Sequence, residues 1–179
     1  PFLGRSDQDK RAMINAMGPL WDGNEVWLIT AGGVTFAAFP LVYAVMFSSL
    51  YTALMLILFA LILRGVSMEF RGKVDSPAWR RLWDTCLFIG SAVPALLFGV
   101  AFANIFQGLP LELVGQQHYF RGNLFTLLNP YGLLGGILFL LFFLVHGALW
   151  LAIRTEGDLH QRAVRTAASS ASVLRAIRI

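Results

Sequence analysis

Two carboxylates, Asp22 and Glu25, stand three positions apart in PLWDGNEVWLITAGG, just before a long run without charge. Charge is expensive near the centre of a bilayer, so acids at that border either cap a helix or move protons. As a cap, Asp22 takes the N-cap position and Glu25 position N3, and both complement the positive end of the helix that follows. As a relay, a partly buried carboxylate at the rim of a span takes protons from water and hands them inward. The two roles are compatible. Trp21 and Trp27 flank the acids, and tryptophan belongs at the headgroup level, although Trp27 lies far enough along to line an internal passage instead. Arg64 ends the next apolar segment, either as an orientation signal or as a partner for both acids. His146, inside a later apolar run, could serve as a haem ligand, a proton relay or an interhelical hydrogen bond. Haem ligation is the weakest of these, because that segment holds no second axial candidate. His118 and His160 read as solvated loop residues, and Glu69 and Glu112 as loop or interface charges.

These groups are positioned by apolar segments. Of the 179 residues 57% are apolar and 13% charged, against roughly 25% charged in an ordinary soluble domain. No Asp, Glu, Lys or Arg occurs from Val26 to Leu63, and about 20 apolar residues cross a hydrocarbon core, so that run holds a pair of spans. Cys86 to Leu111 and Gly122 to Ile153 are further uncharged stretches. The expected fold is an all-α polytopic membrane bundle in a single domain, with at least four spans and an N-terminal amphipathic surface helix over 6–17 that Ser6 and Asp9 open. The spans are expected over Asn24 to Val45, kinked by Pro40, then Ser48 to Arg64, Trp83 to Phe106 and Tyr131 to Ile153. The short connector at Phe47 to Ser49 folds the first pair into an antiparallel hairpin, which brings Arg64 to the depth of Asp22 and Glu25.

Basic residues gather in the N-terminal helix, the Arg64 to Arg81 loop and the Arg154 to Arg165 loop, which places these on the cytoplasmic side and Gly108 to Pro130 outside. The closing TAASSASVLRAIRI is compatible with a helix, but Arg175 and Arg178 make it a poor span, at most the start of a fifth. Ser91, Ala95, Gly99 and Ala103 recur every four residues and Gly132 and Gly136 form a GxxxG pair, stripes that let helices approach closely in lipid.

Several classes fall away. A lone Cys86 builds neither a disulfide framework nor a multi-cysteine metal site. The net charge of +4 is accounted for by the basic flanks of the spans rather than by a nucleic-acid partner. GGVTFAAFP lacks the lysine and the preceding strand of a phosphate loop. PFLGRSDQDKR has no apolar stretch of a signal peptide, and a start at Pro1 reads as a piece of a longer chain. The residues alone stop at a multispan, helix-packing membrane subunit with a charged cluster at its cytoplasmic rim, which half of a solute transporter, with Pro40 and Pro94 breaking spans, or a non-catalytic membrane assembly subunit would equally satisfy.

GPLWDGNEVWLITAGGVTFAAFP, LILRGVSMEFRGKVDSPAWRRLWD and IGSAVPALLFGVAFANIFQGLP, followed by GNLFTLLNPYGLLGG and RTEGDLHQRA, resemble subunit II of the cytochrome bd quinol oxidases over residues 2 to about 165. The resemblance implies a terminal oxidase of the bacterial or archaeal cytoplasmic membrane that oxidises quinol and reduces dioxygen to water. It implies a haem-free subunit of about eight spans, of which the first and last are missing here. The haems, of the b and d types, are then held by the partner subunit I, and in some members a structural quinone is bound by subunit II. Asp22 matches an acid of the family's proton pathway, Trp27 a residue of a proposed oxygen passage, and Arg64 a charged residue near the proton route. Glu25 and Glu69 match less directly, since other polar residues stand at those places. On this resemblance Asp22 is the proton carrier, and Glu25 keeps the capping role.

Overall fold

A computed structural model of the chain describes residues 3–115 and 117–177; Arg178 lies outside them. Helix α1 (Asp7–Ala38) opens as the sequence announces: the Asp9 amide donates to the Ser6 hydroxyl and the Ser6 amide to the Asp9 carboxylate. It then runs on for 32 residues, straight through Gly18 and Pro19. The surface helix expected over 6–17 and the start of the first expected span are therefore one element. Pro19 leaves the Asn15 carbonyl without its helical donor. A neighbour holds the loosened turn from outside, the Trp150 indole N–H donating to the adjacent Ala16 carbonyl at 3.1 Å. Asp22 and Glu25 consequently sit in mid-helix and cap nothing.

The expected kink at Pro40 is a break. Phe39 leaves the helical region (φ −137°), as a residue before proline tends to, and Pro40 starts α2 (Pro40–Ser49), where a missing N–H has no consequence. A second pivot at Leu50 leads into α3 (Tyr51–Phe70). Trp21 meets Gly65, where an added Cβ would lie 3.2 Å from the ring, so the start of the first apolar run and the end of the second do share a depth. Pro94 breaks nothing: α4 (Pro77–Gln107) passes through it and ends at Gly108, whose φ of +95° favours glycine. With one proline opening a helix and the other inside a continuous one, the paired broken spans of the transporter reading are not formed.

The expected outer loop is structured. An antiparallel hairpin, β1 (Leu111–Val114) with β2 (Gln117–Phe120), pairs Leu111 with Phe120 and Val114 with Gln117. After a turn of helix, α5 (Leu124–Leu127), the Asn129 side chain accepts the Gly132 amide at 2.7 Å and caps α6 (Pro130–Arg154). The following segment is no loop and no fifth span: α7 (Gly157–Ala176) is amphipathic, packing Leu159, Ala163 and Ala167 inward at a spacing of four.

α4 is central, between α3 and α6, and α7 packs on α6. Gly90 makes the α3 contact, since a Cβ there would stand 2.7 Å from the Ala60 carbonyl and 2.9 Å from the Arg64 amide. On the α6 side Gly99 and Ala103 meet Gly135, and Gly136 meets Leu96 and Val100. The expected small-residue stripe is thus half used; Ser91 is exposed and its hydroxyl bonds back to the Leu87 carbonyl. Leu50, Val100, Ala101 and Leu127 close the core at the hairpin end, backed by Leu109 and Phe120. Among the described residues α3, α4 and α6 are long and apolar enough to cross a membrane, while the expected first span is divided between α1 and α2.

Candidate functional site

The structure separates the two acids of the opening motif. Glu25 forms an ion pair with Arg64, both side chains about three-quarters buried, whereas Asp22 is exposed and has no ion pair among the described residues. Three residues advance a helix by most of a turn, so Glu25 lies further along α1 and reaches across to α3. Arg64 is fixed from behind by Gly90, whose missing side chain lets α4 touch the Arg64 backbone. Its Nε is buried without a hydrogen-bond partner, so the guanidinium is held on one side only. The approach of Arg64 to both acids is therefore realised for Glu25 alone. Trp27 is 71% exposed, and no residue of α1 is buried, so this helix shows a free flank to whatever surrounds the chain. Glu69 is exposed in the last turn of α3, away from the pair.

The other end of α1 is clasped by charge. Arg71, 4% exposed, donates from Nε to Asp84 Oδ1 at 2.6 Å and from a terminal nitrogen to Asp7 Oδ1 at 2.8 Å. Lys10 reaches the second Asp84 oxygen at 2.7 Å. Arg162 on α7 pairs with Asp9 at 2.9 Å and donates to the Leu3 carbonyl. Segments expected on one side of the membrane, namely the N-terminal helix, the α3–α4 turn and the start of α7, thus meet at one end of the bundle. The hydrogen bond from Arg162 holds the Asp9 carboxyl down at about 2, against an opposing contribution from burial. Asp7 is lowered in the same way, by the Arg71 hydrogen bond above all. Burial works against the Arg71 charge, but its bonds to Asp84 and Asp7 outweigh that and hold the guanidinium above its usual range.

The sequence model of the family described as cytochrome bd terminal oxidase subunit II matches residues 1–178. The chain belongs to that family. It is 49% identical over 173 residues to the "Cytochrome bd-I ubiquinol oxidase subunit 2" of Escherichia coli K12, covering 96% of this chain and 46% of that relative. To the "Probable cytochrome oxidase subunit 2" of Haemophilus influenzae it is 49% identical over 178 residues, or 99% and 47%. The "Cytochrome bd ubiquinol oxidase subunit 2" of Bacillus subtilis is 42% identical over 166 residues, or 93% and 48%. The chain spans about half the length of these curated relatives. As a subunit II family member with three span-competent helices, it is a membrane protein. Nothing in the comparisons supports the transporter half or the assembly subunit.

His146 lies on the exposed side of α6; His118 is in strand β2, and His160 is in α7 with Nδ1 2.8 Å from the Ala152 carbonyl, so neither is the loop residue expected.

Sequence reasoning missed Asp84, Arg71 and the polar knot at the hairpin end. There Asn104, 3% exposed, donates to the Val100 and Leu127 carbonyls at 2.8 Å each and accepts from Asn129 at 2.9 Å. An asparagine inside an uncharged apolar run was the available signal, because a buried amide in such a place needs partners. For Arg71 there was none beyond its charge.

Proposed function

We propose that this chain is the haem-free membrane subunit of a cytochrome bd-type terminal oxidase, which couples quinol oxidation to the reduction of dioxygen to water in the bacterial or archaeal cytoplasmic membrane. The observation that carries this reading is the family match over residues 1–178, with 49% identity to relatives named as subunit 2 of ubiquinol oxidases. The chain's part is to brace a haem-bearing subunit I, which holds the b- and d-type haems. Asp22 receives protons from the cytoplasmic side, with Arg64 and Glu25 forming the adjoining pair, Glu69 a peripheral charge, and Trp27 lining oxygen access. The exposure of Asp22 and Trp27 on a helix with no buried residue supports such roles, since both are presented to a neighbouring surface rather than used up in the core of this chain.

The test is made in the full-length complex. Asp22→Asn should lower quinol-driven oxygen consumption about a hundredfold or more, the range expected for loss of a positioned proton carrier, while the visible spectrum still reports the full complement of haem. Normal oxygen consumption with a normal haem spectrum removes Asp22 from the proton route. A complex purified through this chain that carries no haem absorbance refutes the oxidase reading itself.

A further inference from the structure

At the charged end of the bundle a cleft of about 230 Å³ opens between the start of α1, the α3–α4 turn and the first turns of α4. Its walls carry five cations, Arg5, Lys10, Arg71, Arg80 and Arg81, and two carboxylates, Asp7 and Asp84, for a net charge of +3. The carboxylates are already engaged: Asp84 lies between Arg71 and Lys10, and Asp7 between Arg71, Arg11 and Arg80. Arg5 and Arg81 are exposed and have no carboxylate partner among the described residues; the only acceptor for Arg81 is the Pro77 carbonyl, at 3.3 Å. One face of the cleft is thus formed by the entry to α1, the other by α4, each with an unspent guanidinium.

Further observations fix what kind of anion suits it. Pro77 and Arg80, in the first turn of α4, stand in the cleft wall, and Ser76 gives that turn no side-chain cap, so the positive end of the α4 dipole lies beside the cleft. Immediately beside them lies an aromatic cluster. The Trp79 indole donates to the Phe70 carbonyl at 2.8 Å, and Trp83 stands 5.5 Å from Trp79 and 5.6 Å from Phe70, ring centre to ring centre. Such rings collect at headgroup depth, and here they stand where the apolar α3 ends and the apolar α4 begins. Forked guanidiniums, a helix dipole end and headgroup depth together match tetrahedral phosphate oxygens better than a carboxylate of another protein.

We propose that this cleft is a phosphate-group site, in which an anionic phosphate bridges Arg5 of the α1 entry and Arg81 of α4 and so fastens the start of α1 over the Arg71 clasp. The phosphate is that of a lipid headgroup or free inorganic phosphate, and the site is independent of the proton route through Asp22. The full-length oxidase, delipidated in neutral detergent, is titrated separately with phosphatidylglycerol, phosphatidylcholine and inorganic phosphate, and the melting midpoint and bound phosphorus are read. Phosphatidylglycerol should raise the midpoint saturably. Arg5→Gln and Arg81→Gln should each weaken that response about fivefold and together about twenty-five-fold, the effect of one and two interfacial cations. Arg121→Gln with Arg175→Gln, which removes the same charge away from the cleft, should change it less than about twofold, as exposed charges beyond the Debye length do. A shift given by phosphatidylglycerol but not by inorganic phosphate makes the ligand lipid; an equal shift with inorganic phosphate, with the same arginine dependence, makes it the free ion. Either supports the site. A midpoint indifferent to both, an equal response to phosphatidylcholine, or equal weakening by the distant pair of substitutions overturns it.

Discussion

Arg71→Met should cost the folded chain about 3 kcal/mol, and the cost should be shared with Asp84 rather than added to it. Arg71 makes two short charge-assisted bonds, 2.6 Å to Asp84 and 2.8 Å to Asp7, and a third contact to Asp84 at 3.4 Å that lies outside the range of a strong bond. Two bonds to charged groups bound the loss between about 3 and 6 kcal/mol. The lower end applies because neither acid is orphaned. Asp84 keeps Lys10 at 2.7 Å, and Asp7, itself 36% exposed, keeps Arg11 at 2.8 Å. Methionine also fills the space of the aliphatic part of the arginine. Asp84→Asn leaves Arg71 buried with Asp7 as its remaining carboxylate, so its cost should be similar. If the pair acts directly, Arg71→Met/Asp84→Asn should be less damaging than the sum of the single changes by about 2 kcal/mol. The assay is a double-mutant cycle on the full-length protein, unfolded by dodecyl sulfate in mixed micelles and followed by circular dichroism. Additivity within about 0.5 kcal/mol, the usual result for independent sites, would refute direct coupling of Arg71 and Asp84 as what joins the end of α3 to α4.

Acid should release α7 from α1 before the bundle opens. Asp9 has its folded pKa lowered from 3.8 to about 2, so the stability it lends is complete above the ordinary carboxylate value and is lost as pH falls from there through about 2; amide exchange of α7 should quicken over that window in the native protein and show no such pH dependence in Asp9→Asn. Gly90→Ala should cost about 1–3 kcal/mol, the range of core overpacking, because the added methyl meets the Ala60 carbonyl and the Arg64 amide rather than a flexible side chain. Gly33→Ala, with nothing within 4 Å, should be neutral or stabilise α1 by up to about 1 kcal/mol, and equal melting losses for the two would show that close α3–α4 approach is not what Gly90 provides.

The helices that fill the bundle were legible because a bilayer tolerates few alternatives to an uncharged run. Tyr131 to Ile153 was one residue short at each end of α6, and Trp83 to Phe106 missed the polar first turns of α4 and its last residue, Gln107. Ser6 and Asp9 named the first helix start correctly, since a capping box is local chemistry. Errors arose where distant residues decide. Gly18–Pro19 is a local stop signal, but the donor that steadies that turn is Trp150, 134 residues away. Asp7 and Arg71 are separated by 64 residues and Asp9 and Arg162 by 153, so the clasp has no periodicity to betray it. In the site itself the shared depth of Arg64 and the two acids was legible from the hairpin, whereas the choice of Glu25 over Asp22 needed the helix to continue and its azimuth to be known.

That choice constrains any proton route through this chain. Before Glu25 can take up a proton it has to leave Arg64, and the Arg64 backbone is held against α4 by Gly90, so the pair is built to stay closed. Asp22 has no such cation to leave. It is exposed, and among the described residues no ion pair reaches it. Under the proposed function the group that receives the proton from Asp22 is then expected on the surface that covers α1 in the assembled oxidase. The Glu25–Arg64 pair then sets the position of α1, and so of Asp22, against that surface, which makes it a positioning element of the route rather than one of its stations.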